Sequence, residues 1–303
     1  MASVLWSFIL PSVQRLEVNL GQRLYCQFND QQIMVPQLQR REWDCFLNAI
    51  KNIQQLPLFM ELKLTKSPFA TEDELIALLQ KTPNITHLEV SWYPITDRFL
   101  QAVSKMCPLL ERINISFCKE ITDEGVEALL KLRLLKHIAV AGCTQIAGEA
   151  LTKPKSGLPL QHLNLNHLPK LSNEIATKML GVHRQLKELL IASCKKMTPE
   201  FFGLEQFPPL EILNLSAWNI TDEELSLIAE KTPNLTFLNL NQSRGYCWKG
   251  LASALARWNK LQHLEYVCAK LSREDPDAEL MLQYPQIKLI SSLSVGLPQG
   301  DPE

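Results

Sequence analysis

The stretch "INISFCKEITDEGVEALL", residues 113–130, holds in one short run the features that recur along most of the chain. It begins with alternating apolar and polar residues, which predict a strand with one buried face. A turn follows and ends at Thr122, whose hydroxyl is suited to cap the first free N–H groups of a helix. Val126, Leu129 and Leu130 then recur at helical spacing. The stretch therefore predicts one strand–turn–helix unit.

This unit repeats at a nearly fixed period. One apolar residue at the start of each strand pattern serves as an anchor, and the nine clear anchors are Leu62, Leu88, Ile113, Ile138, Leu163, Leu189, Leu213, Leu238 and Leu264. Successive anchors are 24 to 26 residues apart, and a fixed period in this range is the signature of a repeat array. A single unit cannot bury its own apolar face, so we expect neighbouring units to stack on one continuous core.

Helix starts are predicted at the same place in most units. Each turn ends in a hydroxyl residue, at Thr71, Thr96, Thr122, Ser172, Thr198 and Thr221. Glu74 and Glu224 lie three residues after two of these positions and complete predicted capping boxes. Pro199 fits the first position of a helix. The pattern therefore predicts an outer layer of capped helices.

The motif as a whole resembles the cysteine-containing leucine-rich repeat. The matching positions are Cys107, Pro108, Leu110, Ile113, Ile115, Cys118, Ile121, Thr122, Asp123, Gly125, Val126 and Leu129. The resemblance covers roughly residues 56–290. It implies an α/β solenoid, a leucine-rich repeat horseshoe with parallel strands on the concave face and helices on the convex face.

Three regions are predicted along the chain. Residues 1–55 form an N-terminal cap with divergent or partial repeats, in which 39–53 are predicted as an amphipathic helix after a polar "NDQQ" loop. Residues 56–290 are leucine-rich repeats of about 25 residues, and residues 291–303 are predicted to be a disordered tail. The segment 151–160 contains Pro154 and Gly157, which predict a short or irregular outer segment there.

Composition narrows the function classes. The net charge of −1 argues against a nucleic-acid groove, which needs a basic stripe. The longest early apolar run, residues 4–10, is too short to span a bilayer and follows no basic segment, so we expect neither a membrane partner nor a signal peptide. The eight cysteines include no Cys-x-x-Cys pair. We therefore expect reduced, buried thiols and a cytoplasmic location, with the nucleus as another reduced compartment.

The predicted binding surface is the concave face. Side chains that flank the anchors, or lie where the strands end, are expected to point there, and five of the six histidines are among them. The predicted partner-binding residues are His87, Trp92, Arg112, Asn114, Phe117, His137, His162, Asn164, His167, Asn214, Asn239 and His263. Aromatic and Arg side chains dominate interface energetics. The alternative is that these residues are a solvated lining.

The sequence favours neither a metal site nor a catalytic one. His137 and His162 are expected to be neighbours on adjacent strands, but zinc usually takes three or four ligands, and His87 and Cys143 do not obviously complete such a set. A cysteine nucleophile needs a lowered pKa and a nearby base, whereas Cys118 and Cys194 are expected to point into the stack. We predict no metal, no cofactor and no enzymatic activity.

The resemblance also suggests a function. Cysteine-containing leucine-rich repeats are typical of F-box proteins, in which the repeats bind the substrate of an SCF-type ubiquitin ligase and the F-box binds the ligase core. The resemblance thus implies a protein-interaction module with protein partners that include ligase components. Residues 1–55 lack the usual F-box arrangement. The alternative is therefore a stand-alone scaffold or regulatory protein, or a microbial effector that is secreted into a host cell.

Overall fold

The computed structural model describes residues 10–18, 24–28, 31–35, 40–66, 70–153, 158–266 and 283–291. The chain divides into two compact units, Met1–His162 and Leu163–Glu303. One short strand, His162–Asn164 (β8), spans the boundary between them. The first nine residues of the predicted cap, Pro154, Gly157 and residues 292–303 lie outside the part of the chain that the structure describes.

The first unit alternates strands with helices after an N-terminal hairpin. Its elements are β1 (Val13–Val18), β2 (Leu24–Phe28), β3 (Gln31–Val35), α1 (Arg40–Lys51), β4 (Glu61–Thr65), α2 (Glu72–Leu79), β5 (His87–Ser91), α3 (Asp97–Met106), β6 (Arg112–Asn114), α4 (Asp123–Leu129), β7 (His137–Ala139) and a 3-10 turn, Glu149–Thr152. Strand order is β3-β2-β1-β4-β5-β6-β7. β1 pairs parallel with β4, whereas β2 pairs antiparallel with both β1 and β3.

The second unit continues the alternation. Its elements are α5 (Asn173–Val182), β9 (Glu188–Leu190), a 3-10 turn (Pro199–Gly203), β10 (Ile212–Asn214), α6 (Asp222–Lys231), β11 (Phe237–Leu240), α7 (Trp248–Leu255), β12 (His263–Tyr266) and β13 (Lys288–Ser291). The strands from β9 to β13 are parallel and adjacent in chain order. Each unit is therefore a stack of leucine-rich repeats, and the predicted fold class is confirmed.

The anchors form the core. In the first unit, Leu62 pairs in register with Leu88, Leu88 with Ile113, and Ile113 with Ile138. All of these side chains are buried, and the residues that flank them are at least partly exposed. Because side chains of a strand alternate between its two faces, the anchors lie on the buried face of the sheet and their neighbours on the other. We call that other face the open face.

The predicted helix caps are also found. Thr71, Thr96, Thr122, Ser172 and Thr221 each precede an α-helix, and each hydroxyl accepts a hydrogen bond from a backbone N–H of the first turn. Both predicted capping boxes, at Thr71 and Thr221, are complete.

Thr198 differs, because a 3-10 turn and not an α-helix follows it. Only nine residues lie between Thr198 and the next approach proline, Pro208, whereas eleven lie between Thr221 and Pro233. A 3-10 turn rises more per residue than an α-helix, so it spans the repeat with fewer residues. In the repeat of β7 the outer segment is the short 3-10 turn Glu149–Thr152, as Pro154 and Gly157 after it predicted.

An acidic or amide residue at the first position of five of the described helices links that repeat to the next one. The carboxylate of Asp97 accepts hydrogen bonds from Thr122 N (2.9 Å) and Thr122 Oγ1 (2.6 Å). Glu72 does the same for Thr96, and Asp123 accepts from Gly148 N. In the second unit, Asn173 and Asp222 accept from Thr198 N and Cys247 N. These side chains satisfy backbone donors that a helix start leaves open.

Gly125 makes this arrangement possible. A Cβ atom at Gly125 would lie 2.3 Å from Asp97 Oδ1, and one at Gly250 would lie within van der Waals overlap of Asp222 Oδ1. Three residues of the Thr-Asp-x-Gly pattern, residues 122–125, therefore have different structural roles. The threonine caps its own helix, the aspartate reaches the next repeat, and the glycine leaves room for the aspartate of the previous repeat.

The turn cysteines are structural. Cys118 Sγ donates to Val90 O (3.1 Å), Cys143 Sγ to Ile115 O (3.1 Å), and Cys194 Sγ to Leu165 O (3.2 Å). Burial raises the pKa of Cys118 to about 12 and the pKa of Cys143 to about 11. The same position in later repeats is filled by Trp218 and Ser243, which donate to the equivalent carbonyls. Their shared role is to satisfy one backbone acceptor of the preceding repeat.

Candidate functional site

Two aromatic rings of the first unit stack where strands β5 and β6 end. The rings of Trp92 and Phe117 have centroids 4.0 Å apart and planes 11° from parallel. The Nζ of Lys66 lies 5.9 Å from the centroid of the Trp92 ring. On the other side, a Cβ atom at Gly142 would lie 2.4 Å from Phe117 Cδ1, so the ring covers the backbone of that glycine. We call Trp92 and Phe117 the aromatic stack.

The turn that holds the stack recurs from one repeat to the next. The residue four positions after the anchor has a positive φ, including Lys66 (49°), Trp92 (65°), Phe117 (63°) and Gly142 (67°). Its N–H donates to a carbonyl of the next repeat, as Trp92 N does to Ser116 O (2.9 Å) and Phe117 N to Ala141 O (2.7 Å). The left-handed conformation therefore belongs to the turn, and its regular spacing brings the side chains of successive repeats into contact.

Trp92 is unusually exposed for its size. The side chain is 47% exposed, whereas Phe117 is half-buried between Trp92 and Gly142. An exposed indole ring has both apolar surface and an N–H donor to offer a partner, and aromatic residues are enriched at interface hot spots. The exposure and residue types of the stack are therefore those of an interaction site and not those of a buried core.

A basic and imidazole row crosses the open face of the same unit. His87, Arg112 and His137 are cross-strand neighbours in register on β5, β6 and β7. The rings of His137 and His162 are stacked, with centroids 3.7 Å apart. Arg112 is exposed, and its guanidinium forms no ion pair with any residue that the structure describes. We call His87, Arg112, His137 and His162 the histidine–arginine row.

Two histidines of this row, His87 and His137, are neutral at pH 7. Burial, together with the nearby His162 and Arg112, lowers the pKa of His137 to about 4. Burial also lowers the pKa of His87, whose Nδ1 lies 2.8 Å from Thr86 Oγ1. The row therefore has a fixed positive charge at Arg112, and a bound anion would raise the pKa of His87 and of His137.

Glu61, the cross-strand neighbour of His87 on β4, is already paired. Glu61 lies 3.3 Å from the guanidinium of Arg15 and 3.2 Å from the ammonium of Lys63. Its charge is therefore largely balanced within the N-terminal strands, and it leaves the guanidinium of Arg112 available to a ligand.

The four predicted asparagines have structural partners. In the first unit, Asn114 Oδ1 accepts from Ser116 N (3.0 Å) and Ser116 Oγ (2.6 Å). In the second unit, Asn164, Asn214 and Asn239 accept in the same way from the backbone N–H two residues later. Each asparagine thus fixes the end of its own strand. Their role in partner binding stays a prediction.

The remaining predicted residues lie apart in the second unit. His167 is exposed at the left-handed turn after β8, and its N–H donates to Ala192 O (2.8 Å). His263 lies on β12 beside Phe237 of β11, with ring centroids 6.3 Å apart.

Sequence reasoning missed two parts of the aromatic stack's surroundings, Lys66 and Gly142. Both lie four residues after an anchor, in register with Trp92, Phe117 and His167, so the period could have identified them. Within the described ranges, no three His, Cys, Asp or Glu side chains are grouped so that they could hold a metal ion. Nor does any helix in those ranges have the length and apolar character needed to cross a membrane.

Comparison with known proteins agrees with this architecture. A family model described as "Leucine Rich repeat" matches residues 107–130. F-box/LRR-repeat protein 4 of Bos taurus is 27% identical over 164 residues, which cover 50% of this chain and 26% of that protein. Putative F-box/LRR-repeat protein 23 of Arabidopsis thaliana is 28% identical over 153 residues, which cover 50% of this chain and 30% of that protein. The matches therefore span less than a third of the length of either relative.

Among solved structures, a chain from the yeast complex of Rad7 and Elc1 aligns with a TM-score of 0.49 at 14% identity, over 86% of this chain and 73% of that chain. The repeat register and the strand pairing give the chain the leucine-rich repeat fold, and the family model matches one of its repeats. Its repeats resemble those of F-box/LRR-repeat proteins. Repeats of this kind support a protein-interaction module.

Proposed function

We propose that the chain recognises a partner protein through the open face of its first unit, with the aromatic stack as the anchor of the contact. The observation that supports this most strongly is the exposed indole of Trp92, held against Phe117 by a turn that recurs in register. Rigid aromatic side chains give large contact area at low entropic cost on binding. The histidine–arginine row begins on the same two strands, β5 and β6, continues onto β7 and β8, and supplies polar contacts around the anchor.

We further propose that this contact recruits the substrate of an SCF-type ubiquitin ligase. Support comes from the resemblance of the repeats to those of F-box/LRR-repeat proteins. A stand-alone scaffold, a regulatory protein or a microbial effector would use the same surface without ligase components. In the ligase role and in the stand-alone role the partner binds to the same surface. The two roles differ in whether ubiquitin-ligase components are bound to the chain as well.

The test is an affinity capture from cell lysate followed by mass spectrometry. Wild type is compared with the double variant Trp92→Ala/Phe117→Ala. The matched control is Leu109→Ala/Leu134→Ala, because Leu109 and Leu134 are also exposed apolar residues, each 41% exposed, but lie before the strands and outside the stack. We expect the control to capture the same proteins as wild type and the stack variant to lose one of them.

Each result bears on a different part of the proposal. Cullin-complex components recovered with both wild type and the stack variant would support the ligase role, because they would bind independently of the substrate surface. A partner lost with the stack variant and no ligase component would support the scaffold version. Equal recovery of every protein by the stack variant would contradict the proposed surface.

A further inference from the structure

We infer that the open face of the first unit binds an acidic peptide segment with an apolar side chain placed about four to six residues from its carboxylates. The inference rests on the proposed function and names the chemistry of the partner. The apolar side chain would pack on the aromatic stack. The carboxylates would meet Arg112 and the imidazoles of His137 and His87.

The spacing follows from the repeat itself. Arg112 directly precedes the anchor Ile113, and Phe117 follows it by four residues. An extended chain rises about 3.3 Å per residue, so five residue steps place the two ends of the surface at most roughly 16 Å apart, because β6 ends at Asn114 and Phe117 lies in the left-handed turn. A bound segment that runs along the strands in extended form covers that distance with about four to six residues of its own.

The charge distribution selects an acidic segment. Arg112 is exposed and forms no ion pair among the described residues, while Lys66 lies at the outer side of the stack. The nearby acidic groups Glu61 and Glu111 are paired with lysines, at 3.2 Å from Lys63 and 3.0 Å from Lys136 respectively. The surface around the stack therefore offers cations that a carboxylate can pair with.

Two acidic side chains oppose such a ligand and limit where it can lie. Glu89, on β5, accepts a weak hydrogen bond from Thr65 Oγ1 (3.4 Å) and is partly exposed. Glu120 is exposed three residues beyond Phe117. Carboxylates of the ligand are therefore expected at the Arg112 end of the strands, where His87 and His137 flank the guanidinium.

The experiment draws peptides from a random library, so the partner need not be identified first. A phage library of random 12-residue peptides is selected on the immobilised full chain, and then depleted on the double variant Trp92→Ala/Arg112→Glu. We expect the recovered peptides to pair an aromatic or aliphatic residue with Asp or Glu at the stated spacing. Recovery of no peptide, or of peptides without enriched acidic residues, would overturn the inference.

Fluorescence anisotropy with the recovered peptide then assigns the contacts. Arg112→Glu is expected to weaken binding by about tenfold or more, and Glu89→Gln to strengthen it. Arg133→Glu makes the same charge change at another exposed arginine and is expected to change affinity by less than about twofold. Wild-type affinity in Arg112→Glu would overturn the inference.

The two proposals can fail separately. If the captured partner needs the aromatic stack but the recovered peptides lack acidic residues, the surface stands and its acidic preference is wrong. If neither the partner nor any peptide depends on Trp92 and Phe117, both proposals are wrong. The Leu109→Ala/Leu134→Ala control is expected to bind the recovered peptide at wild-type affinity, because these residues lie outside the stack. Weaker binding by the control would contradict the placement of the peptide on the stack.

Discussion

The replacement Gly125→Ala should destabilise the protein, although alanine is normally the better helix residue. Gly125 is the third residue of α4, and the space that its missing side chain leaves is occupied by the carboxylate of Asp97. An alanine Cβ would lie 2.3 Å from Asp97 Oδ1 and 2.9 Å from Leu100 Cδ1. The carboxylate must therefore move away from Thr122, which it binds through two hydrogen bonds.

The two opposing effects can be estimated. Replacing glycine by alanine within a helix gains up to about 1 kcal/mol. A hydrogen bond to a charged group contributes about 1.5–3 kcal/mol. The two hydrogen bonds from Thr122 to Asp97 lie at a half-exposed site, which weakens them, so we take about 1–2 kcal/mol for each. Loss of both bonds then outweighs the gain, and the expected net destabilisation is about 1–3 kcal/mol.

Urea unfolding followed by circular dichroism measures the change, and Gly181→Ala is the matched control. Gly181 lies near the end of α5, is exposed, and has no atom within 4 Å of where a Cβ would be. Alanine there is expected to stabilise by about 0.5–1 kcal/mol. The same glycine-to-alanine change should therefore have opposite signs at the two sites.

A double-mutant cycle isolates the cause. In an Asp97→Ala background the carboxylate is absent, so Gly125→Ala should cost far less than in wild type. Stabilisation by Gly125→Ala in the wild-type background would refute the reasoning, and so would an equal cost in both backgrounds. Either result would mean that the aspartate does not hold the next helix start.

The remaining predictions concern a buried thiol and the histidine–arginine row. Cys143→Ser should lower the free energy of unfolding by about 1 kcal/mol and Cys143→Ala by about 2 kcal/mol, because the serine hydroxyl can still donate to Ile115 O, as Ser243 does to Leu215 O. Urea unfolding in which the serine variant is less stable than the alanine variant would contradict this. The pKa of Cys143 is about 11 in the folded chain, above the value near 8.5 of an unfolded thiol. The contribution of the Cys143 thiol to folding stability is therefore complete below about pH 8.5 and falls by ~1.4 kcal/mol per pH unit above it. The difference in stability between wild type and Cys143→Ala should narrow between about pH 9 and 10.5, and a constant difference would contradict the assignment. A bound carboxylate should raise the pKa of His137 above about 4, so the complex takes up a proton when it forms. Affinity for the recovered acidic peptide should therefore rise as the pH falls from about 7 to 5. Anisotropy titrations should show a smaller rise in His137→Gln, and an identical pH profile in that variant would be evidence against the contact.

Much of the fold follows from local rules. The anchors, the hydroxyl caps and the buried cysteines each depend on interactions within one repeat or between two adjacent repeats, so a period of 24 to 26 residues reveals them. The hairpin of β2 and β3 was missed because its two strands do not follow the repeat. The residues Asn29 and Asp30 between these strands are of the types that tight hairpin turns favour, but the same polar residues also fit the loop that the sequence predicts there.

The candidate site was only partly accessible from sequence. Trp92 and Phe117 were identified by their place after the strands, but their stacking depends on the positive φ that both share with Lys66 and Gly142. The structural roles of the asparagines were also hidden, because Asn114 accepts from Ser116 only after the strand has formed. Side-chain contacts of this kind depend on turn geometry, which a single sequence does not specify.

The most direct test of the central claim is hydroxyl-radical footprinting of the chain with the partner that the affinity capture recovers. Trp92 is exposed, so we expect its indole ring to be oxidised in the chain alone. The account predicts that the bound partner protects Trp92 and Phe117 from oxidation and leaves Leu109 and Leu134 unchanged. Oxidation of Trp92 at the same rate with and without partner, together with protection of helices α3 and α4, would contradict it and place the partner on the other side of the repeats.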